Sequence, residues 1–226
     1  MSNGTKVVKR NGKTEPLDLN KLHIMVEHAC KDLAGVSASQ VEIQSGIQFY
    51  DGITTDEIQE ILIRSASDLI DLDHPNYQFV AARLLLFALR KQLFGRMHEF
   101  PTLKTHVERC VDLGVYDAEI LDLYDDEEFD KLESFIDHHR DYLFTYAGLR
   151  QVVDKYLVQD RSTGAQYETP QFMYNAFGRD PQFFAFYRAM QAYEKALIGG
   201  ETSLVLSPDS EFFKFFGKSI KPAVKR

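Results

Sequence analysis

Two short runs, Lys6-Val7-Val8-Lys9-Arg10 and Lys13-Thr14-Glu15-Pro16-Leu17, flank Asn11-Gly12 at the head of the chain. An Asn-Gly pair between such runs is the strongest short signal for a tight hairpin, because both residues tolerate positive φ. The apolar residues that follow, up to residue 95, recur at helical spacing. The front of the chain is thereby constrained to a small β-hairpin set against helices. Asp18 is the expected N-cap of the first helix, with Leu22, Met25, Val26, Ala29, Cys30 and Leu33 on its inward stripe and Gly35 as its stop. Ser37 or Ser39 opens a second helix that carries Val41 and Ile47 inward. Thr54 and Glu57 form a capping box ahead of Ile58, Ile61, Leu62, Ala66, Leu69 and Ile70. Pro75 ends that helix, and a strongly apolar one over 76–94 closes at Gly95.

Beyond this four-helix cluster, residues 96–150 read as helices with acidic faces. The run Asp125, Asp126, Glu127, Glu128 and Asp130 is read as a solvated helix start, where acids meet the positive end of the helix dipole. A second hairpin is expected over 151–168, turning at Thr163-Gly164. A further helix follows over 181–198, then a short strand from Thr202 to Leu206 and a basic, frayed tail. The fold class is mainly α: a hairpin lid on four helices (1–95), a helical linker region (96–174) and a short helix/strand tail (175–226).

Composition narrows the function classes. A net charge of −8 argues against nucleic acid as a partner. Two cysteines, Cys30 and Cys110, make neither a disulfide framework nor a CxxC metal clip. Residues 1–5 are polar, without the apolar core of a signal peptide, and no run is long enough to span a bilayer, so a cytoplasmic location is expected. His138 and His139 are neighbours on a helix and point about 100° apart, so a hydrogen-bonding role is favoured over a shared metal. No nucleophile–base pair or metal triad stands out, so no catalytic or metal-binding residue is assigned.

Against the acidic whole, Lys6, Lys9, Arg10, Lys13 and Lys21 crowd the first 21 residues. Lys9 and Arg10 beside a glycine turn can supply the cations a polyphosphate needs, and Glu15 and Asp18 could accept from a base or a ribose. A solvated basic hairpin has the same composition. From spacing alone the second reading has the advantage.

The order of the motifs reverses that preference. Val7-x-Lys9-Arg10-x-Gly12, Leu19-x-Lys21, Gln48-Phe49-Tyr50-Asp51-Gly52-Ile53-x-Thr55 and Ala81-Ala82-Arg83-Leu84 together resemble the ATP-cone of class I ribonucleotide reductase large subunits. The resemblance continues through Phe135-Ile136-Asp137-His138-x-Arg140-Asp141, Lys155-Tyr156-Leu157-Val158-Gln159 and Tyr167-Glu168, and covers about residues 5–174. It implies an allosteric module that binds ATP or dATP, with Mg2+ and no redox cofactor. Val7, Lys9, Arg10, Glu15, Lys21, Leu22, Thr55, Gln59, Phe87 and Lys91 would line its pocket. Lys9, Arg10, Lys21 and Lys91 would hold phosphates, Glu15 would face the base, and Phe87 and Leu22 would supply apolar wall. Gln59 and Ala88 stand where that family commonly has histidine, and Glu57 where it has aspartate; positions 57 and 59 are implied to lie near the sugar and phosphates. The implied partners are the reductase small subunit and other large-subunit chains. The thiyl-radical cysteine and redox pair of that family lie on a barrel not matched here, so no activity is expected of this chain alone.

After about Tyr174 a second resemblance begins. Ala176-Phe177-Gly178-Arg179-Asp180-Pro181, Ala192-Tyr193-Glu194 and Leu206-Ser207-Pro208-Asp209-Ser210-Glu211-Phe212-Phe213 are similar to the end of HflC, a stomatin/prohibitin-type protease regulator. It implies stomatin-type partners and a joined, truncated chain. The functional alternatives to a nucleotide sensor are thus a protein-interaction module or a nonfunctional fusion product. The dense aromatics from Phe172 onward form either a satellite core or an interface.

Overall fold

The computed structural model describes residues 5–178, apart from 47 and 161, with the side chains of 175–178 left out. Residues 1–173 form one compact unit and 174–226 a second. The helix and strand expected after residue 180, the HflC-like motifs and the aromatics from Phe177 onward lie outside the described residues. The inward role expected of Ile47 does too.

The hairpin is present as β1 (Lys6–Val8) and β2 (Thr14–Pro16), paired antiparallel with Val7 opposite Glu15. Its loop is longer than a two-residue turn: Gly12 N donates to Lys9 O at 2.8 Å and Lys9 N to Lys13 O at 2.8 Å. Gly12 alone takes positive φ, at 77°, so Asn11 does not need the left-handed conformation that its pairing with glycine suggested. A third strand was not foreseen. β3 (Ile53–Thr54) pairs parallel with β1, which lies between β2 and β3. Gly52 N donates to Lys6 O at 2.9 Å and Lys6 N to Asp51 Oδ1 at 2.7 Å. These bonds fasten the hairpin to the segment that opens α3.

Four helices support this sheet: α1 (Leu19–Cys30), α2 (Ala38–Gly46), α3 (Thr55–Asp68) and α4 (Tyr77–Phe94). Asp18 caps α1 by accepting from Asn20 N and Lys21 N. Thr54 and Glu57 close the capping box on α3. Helix α1 ends at Cys30, five residues before Gly35, because α4 supplies the terminator: Arg83 donates to the carbonyls of Ala29 (3.1 Å) and Lys31 (2.6 Å). Helix α4 buries apolar residues on several faces since α1, α3 and a later helix, α8 (Tyr146–Lys155), pack against it, and Gly95 at φ 73° ends it.

The later helices are α5 (Leu103–Asp112), α6 (Glu119–Leu123), α7 (Asp126–Glu133), α8 (Tyr146–Lys155) and α9 (Pro170–Gly178), with a 3-10 helix at His138–Leu143. Asp125 caps α7 in a second capping box with Glu128, so the acidic run is a helix start. The second hairpin reduces to a single bridge between Gln159 and Gln166, with Gly164 at positive φ. Phe172 is core: it packs with Leu103, Val107 and Phe129, and its ring stacks on His106 at 4.1 Å. This layer is bolted to α4 by a buried ion pair, Arg90 to Asp141 at 3.1 Å, with Gln171 Nε2 also donating to Asp141. A second buried contact, the Tyr116 hydroxyl donating to Glu168, ties the α5–α6 loop to the residues before α9.

Candidate functional site

The hairpin does not lie flat on the helices. It roofs a cavity of about 470 Å³, within the size range of small-molecule sites. Val7, Lys9, Arg10, Asn11, Glu15, Pro16 and Leu17 come from the hairpin and its exit; Asp18, Lys21, Leu22 and Met25 come from the start of α1. Helix α3 contributes Thr55, Ile58 and Gln59, and the end of α4 contributes Lys91 and Gly95. Each placement has a local cause. The Asp18 cap starts α1 so that Lys21, Leu22 and Met25 share one face at spacings of three and four. The capping box starts α3 so that Thr55, Ile58 and Gln59 do the same.

Nine of the ten residues singled out by sequence thus line one hollow, and Phe87 does not. It is fully buried, with its ring edge-on to Tyr142 at 6.2 Å and to His98 at 5.9 Å. An aromatic ring is better accommodated among other rings than against a charged cavity. Met25, Ile58 and Leu17 supply apolar wall instead. Met25 and Ile58 read in the sequence as core residues; their spacing from Leu22 and Thr55 was the signal that placed them here. Glu57 is also outside the lining. Its carboxylate accepts from Thr54 N at 2.8 Å and the Tyr50 hydroxyl at 2.7 Å, and those two bonds hold it below the usual carboxylate range. Position 57 is therefore a helix cap here, while Gln59 faces the cavity. Ala88 lines a neighbouring groove between α3, α4 and α8.

Electrostatics distinguish the four cations. The lining holds four cationic side chains against two carboxylates, in a chain whose net charge is −8. Lys9 is paired with Glu15 at 2.8 Å. Arg10 grips Asp56 through Nε and Nη2 at 2.8 and 2.7 Å. Lys21 lies 3.6 Å from Asp18. Lys91 has no carboxylate partner among the described residues. Its Nζ donates to the Met25 sulfur at 3.4 Å, and Gln59 Nε2 approaches the same sulfur at 3.9 Å. Burial, then the charge of Arg10, lowers the Lys91 pKa from its ordinary value. A thioether is a weak acceptor, so this ammonium is held in a half-buried place without the anion that would stabilise it.

The other titratable groups do different work. His106 Nε2 lies 3.6 Å from Cys110 Sγ, a contact between helical neighbours. Burial pushes His106 down to about 4 and both Cys30 and Cys110 up to about 11, so this pair is a neutral imidazole beside a thiol. His138 stacks on Phe100 at 3.7 Å, and burial lowers it to about 4. Among the described residues no group of three His, Cys, Asp or Glu is placed to hold a metal ion, and no helix is long and apolar enough to cross a membrane.

Residues 5–92 match the family model of the ATP cone domain. Over 174 residues the chain is 49% identical to ribonucleoside-diphosphate reductase 1 subunit alpha of Salmonella typhimurium and 48% identical to that of Escherichia coli. Both matches take in 77% of this chain and 23% of the relative. The subunit alpha of Buchnera aphidicola subsp. Acyrthosiphon pisum is 42% identical over 217 residues, 91% of this chain and 28% of that protein. The first two matches span about as much of the chain as the ordered motif blocks do, and the third spans more. The chain spans about a quarter of the length of the curated relatives it matches. Residues 5–92 are thus similar to the ATP cone domain, and the chain to the corresponding part of the reductase alpha subunits.

Proposed function

We propose that this ATP-cone domain binds ATP or dATP in the cavity under the hairpin, and that the chain is a nucleotide-sensing regulatory part of a ribonucleoside-diphosphate reductase large subunit. The observation that carries the reading is Lys91: a half-buried ammonium that rests on a sulfur, with no carboxylate partner among the described residues, set in the wall of a cavity of ligand size. A polyphosphate would give it the charge-assisted partner it lacks, a bond worth about 1.5–3 kcal/mol. Lys9 and Arg10 would reach the same phosphates by exchanging carboxylate for phosphate oxygen. Lys21, at the cavity mouth, would follow. Thr55 is the first residue of α3, so the positive end of that helix also faces the ligand. Glu15, released by Lys9, and Asp18 would accept from the adenine amino group or the ribose hydroxyls. Leu22, Val7 and Ile58 would cover the base. Mg2+ would arrive with the polyphosphate.

In this reading the ligand changes how the cone meets its partners, which would be the reductase small subunit or further large-subunit chains. Gln59, an amide that cannot titrate, would be the group nearest to choosing between ATP and dATP. A second reading, an interaction surface without ligand duty, has one observation in its favour: Ile24 and Ile43 on α1 and α2 are more than half exposed. Stomatin-type partners are proposed only for the residues after 174, and a pull-down with that segment deleted would test them. Isothermal titration calorimetry of the folded chain decides the main reading. Saturable heat with ATP and dATP, and none with adenosine, is expected; no heat at millimolar ATP discards it.

A further inference from the structure

Two nitrogen donors converge on one sulfur inside this cavity. Lys91 Nζ lies 3.4 Å and Gln59 Nε2 3.9 Å from Met25 Sδ. Met25 is itself part of the cavity wall, although only 4% of its surface is exposed. Met173 is as deeply buried, at 2%, but is packed in the core away from this hollow. The two methionines therefore differ in whether the side chain borders an open hollow, not in overall burial.

We propose that Met25 is an oxidation site that closes the anion-binding end of the cavity, an inference that rests on the nucleotide reading above. The oxidant is a peroxide. A lone pair of the thioether attacks one oxygen of hydrogen peroxide, the O–O bond breaks and an S=O bond forms. A proton passes to the departing oxygen, which leaves as water. Sulfur loses two electrons and the peroxide gains them. The product replaces a weak acceptor with a strongly polar sulfoxide oxygen at the position both donors already face. That oxygen would take the hydrogen bonds of the Lys91 ammonium and the Gln59 amide, so a phosphate would have to displace it. The reverse relation follows. A bound polyphosphate covers the sulfur, so the nucleotide-loaded chain resists oxidation. Neither thiol competes for this chemistry, since burial keeps Cys30 and Cys110 protonated at neutral pH.

The test treats the full chain with hydrogen peroxide, with and without ATP, and maps sulfoxide by peptide mass spectrometry. Expected is oxidation at Met25 several-fold faster than at Met173 without ATP, and suppressed by saturating ATP. After treatment the ATP affinity should fall at least tenfold. The affinity of the Met25→Leu chain, whatever its starting value, should not change on the same treatment, and its circular dichroism melt reports whether it folds. Oxidation of Met25 no faster than of Met173, or a fully oxidised Met25 with unchanged ATP affinity in the unmutated chain, overturns the inference alone. No ATP binding before any peroxide is added overturns the nucleotide reading and this inference with it.

Discussion

Replacing Lys91 by Met separates binding from folding in a way that few other changes here can. The substitution keeps the length of the side chain and removes its charge. In the proposed complex it deletes one charge-assisted bond to phosphate, about 1.5–3 kcal/mol, or roughly 10- to 150-fold in affinity. Loss of a binding residue usually carries a stability cost, but the sign here should differ. The ammonium sits against a sulfur with no carboxylate partner among the described residues, and burial lowers its pKa. A lysine whose folded pKa lies below its unfolded value weakens the fold while both states carry the proton. That penalty is complete below the folded pKa and is relieved as pH rises from there toward 10.5, because the unfolded chain then binds more protons. The nucleotide-free Lys91→Met chain should therefore melt no lower than its parent at pH 7, and any gain should shrink as the pH approaches 10.5. Calorimetry with ATP and thermal melts at pH 7 and 10 measure both effects. A variant that melts lower without ligand and binds ATP as tightly as its parent would refute the reasoning.

In the proposed complex the Arg10–Asp56 pair would compete with phosphate rather than stabilise the fold. Asp56→Asn should change the melting temperature little, since exposed pairs contribute about 0–1 kcal/mol, and should raise ATP affinity a few-fold in calorimetry. Asp141→Ala leaves the Arg90 guanidinium buried without its carboxylate, although Nη2 keeps its bond to the His138 carbonyl; this costs about 3–5 kcal/mol and, at about 2–4 °C per kcal/mol for a chain of this size, lowers the melt by roughly 6–20 °C. His106 is neutral in the fold, pushed down to about 4, so the unfolded chain takes up a proton first as pH falls below 6.5. The sign is a loss of stability on acidification, about 2 kcal/mol between pH 7 and pH 5, and His106→Phe should remove most of that share of the pH dependence of urea unfolding.

The local signals in the sequence were strong wherever a residue acts on its chain neighbours. Asp18, Thr54 with Glu57 and Gly95 set helix ends through bonds to backbone within four residues, and all were legible. The cation-rich hairpin was legible for the same reason. What the sequence did not disclose is long-range. Strand β3 is two residues long and exists only because Val7 lies beside Ile53. Helix α1 stops where Arg83 reaches its carbonyls, a partner more than 50 residues away that outweighs the nearer glycine. The partner of Arg10 is Asp56, 46 residues along the chain at the start of α3, and no pattern of spacing pairs them. Phe87 shares a helix face with Lys91, yet its ring goes to Tyr142, in a segment whose spacing reads as helices with acidic faces. The domain division drawn at residue 95 follows motif limits, while α4 packs on both sides of it.

A crystal structure of the chain grown with ATP and Mg2+ tests the central claim most directly. The triphosphate is expected under the hairpin, with oxygens within hydrogen-bond distance of Lys91 Nζ and Arg10, and with Glu15 turned from Lys9 toward the adenine. ATP bound elsewhere on the chain, with Lys91 still resting on the Met25 sulfur, would contradict it.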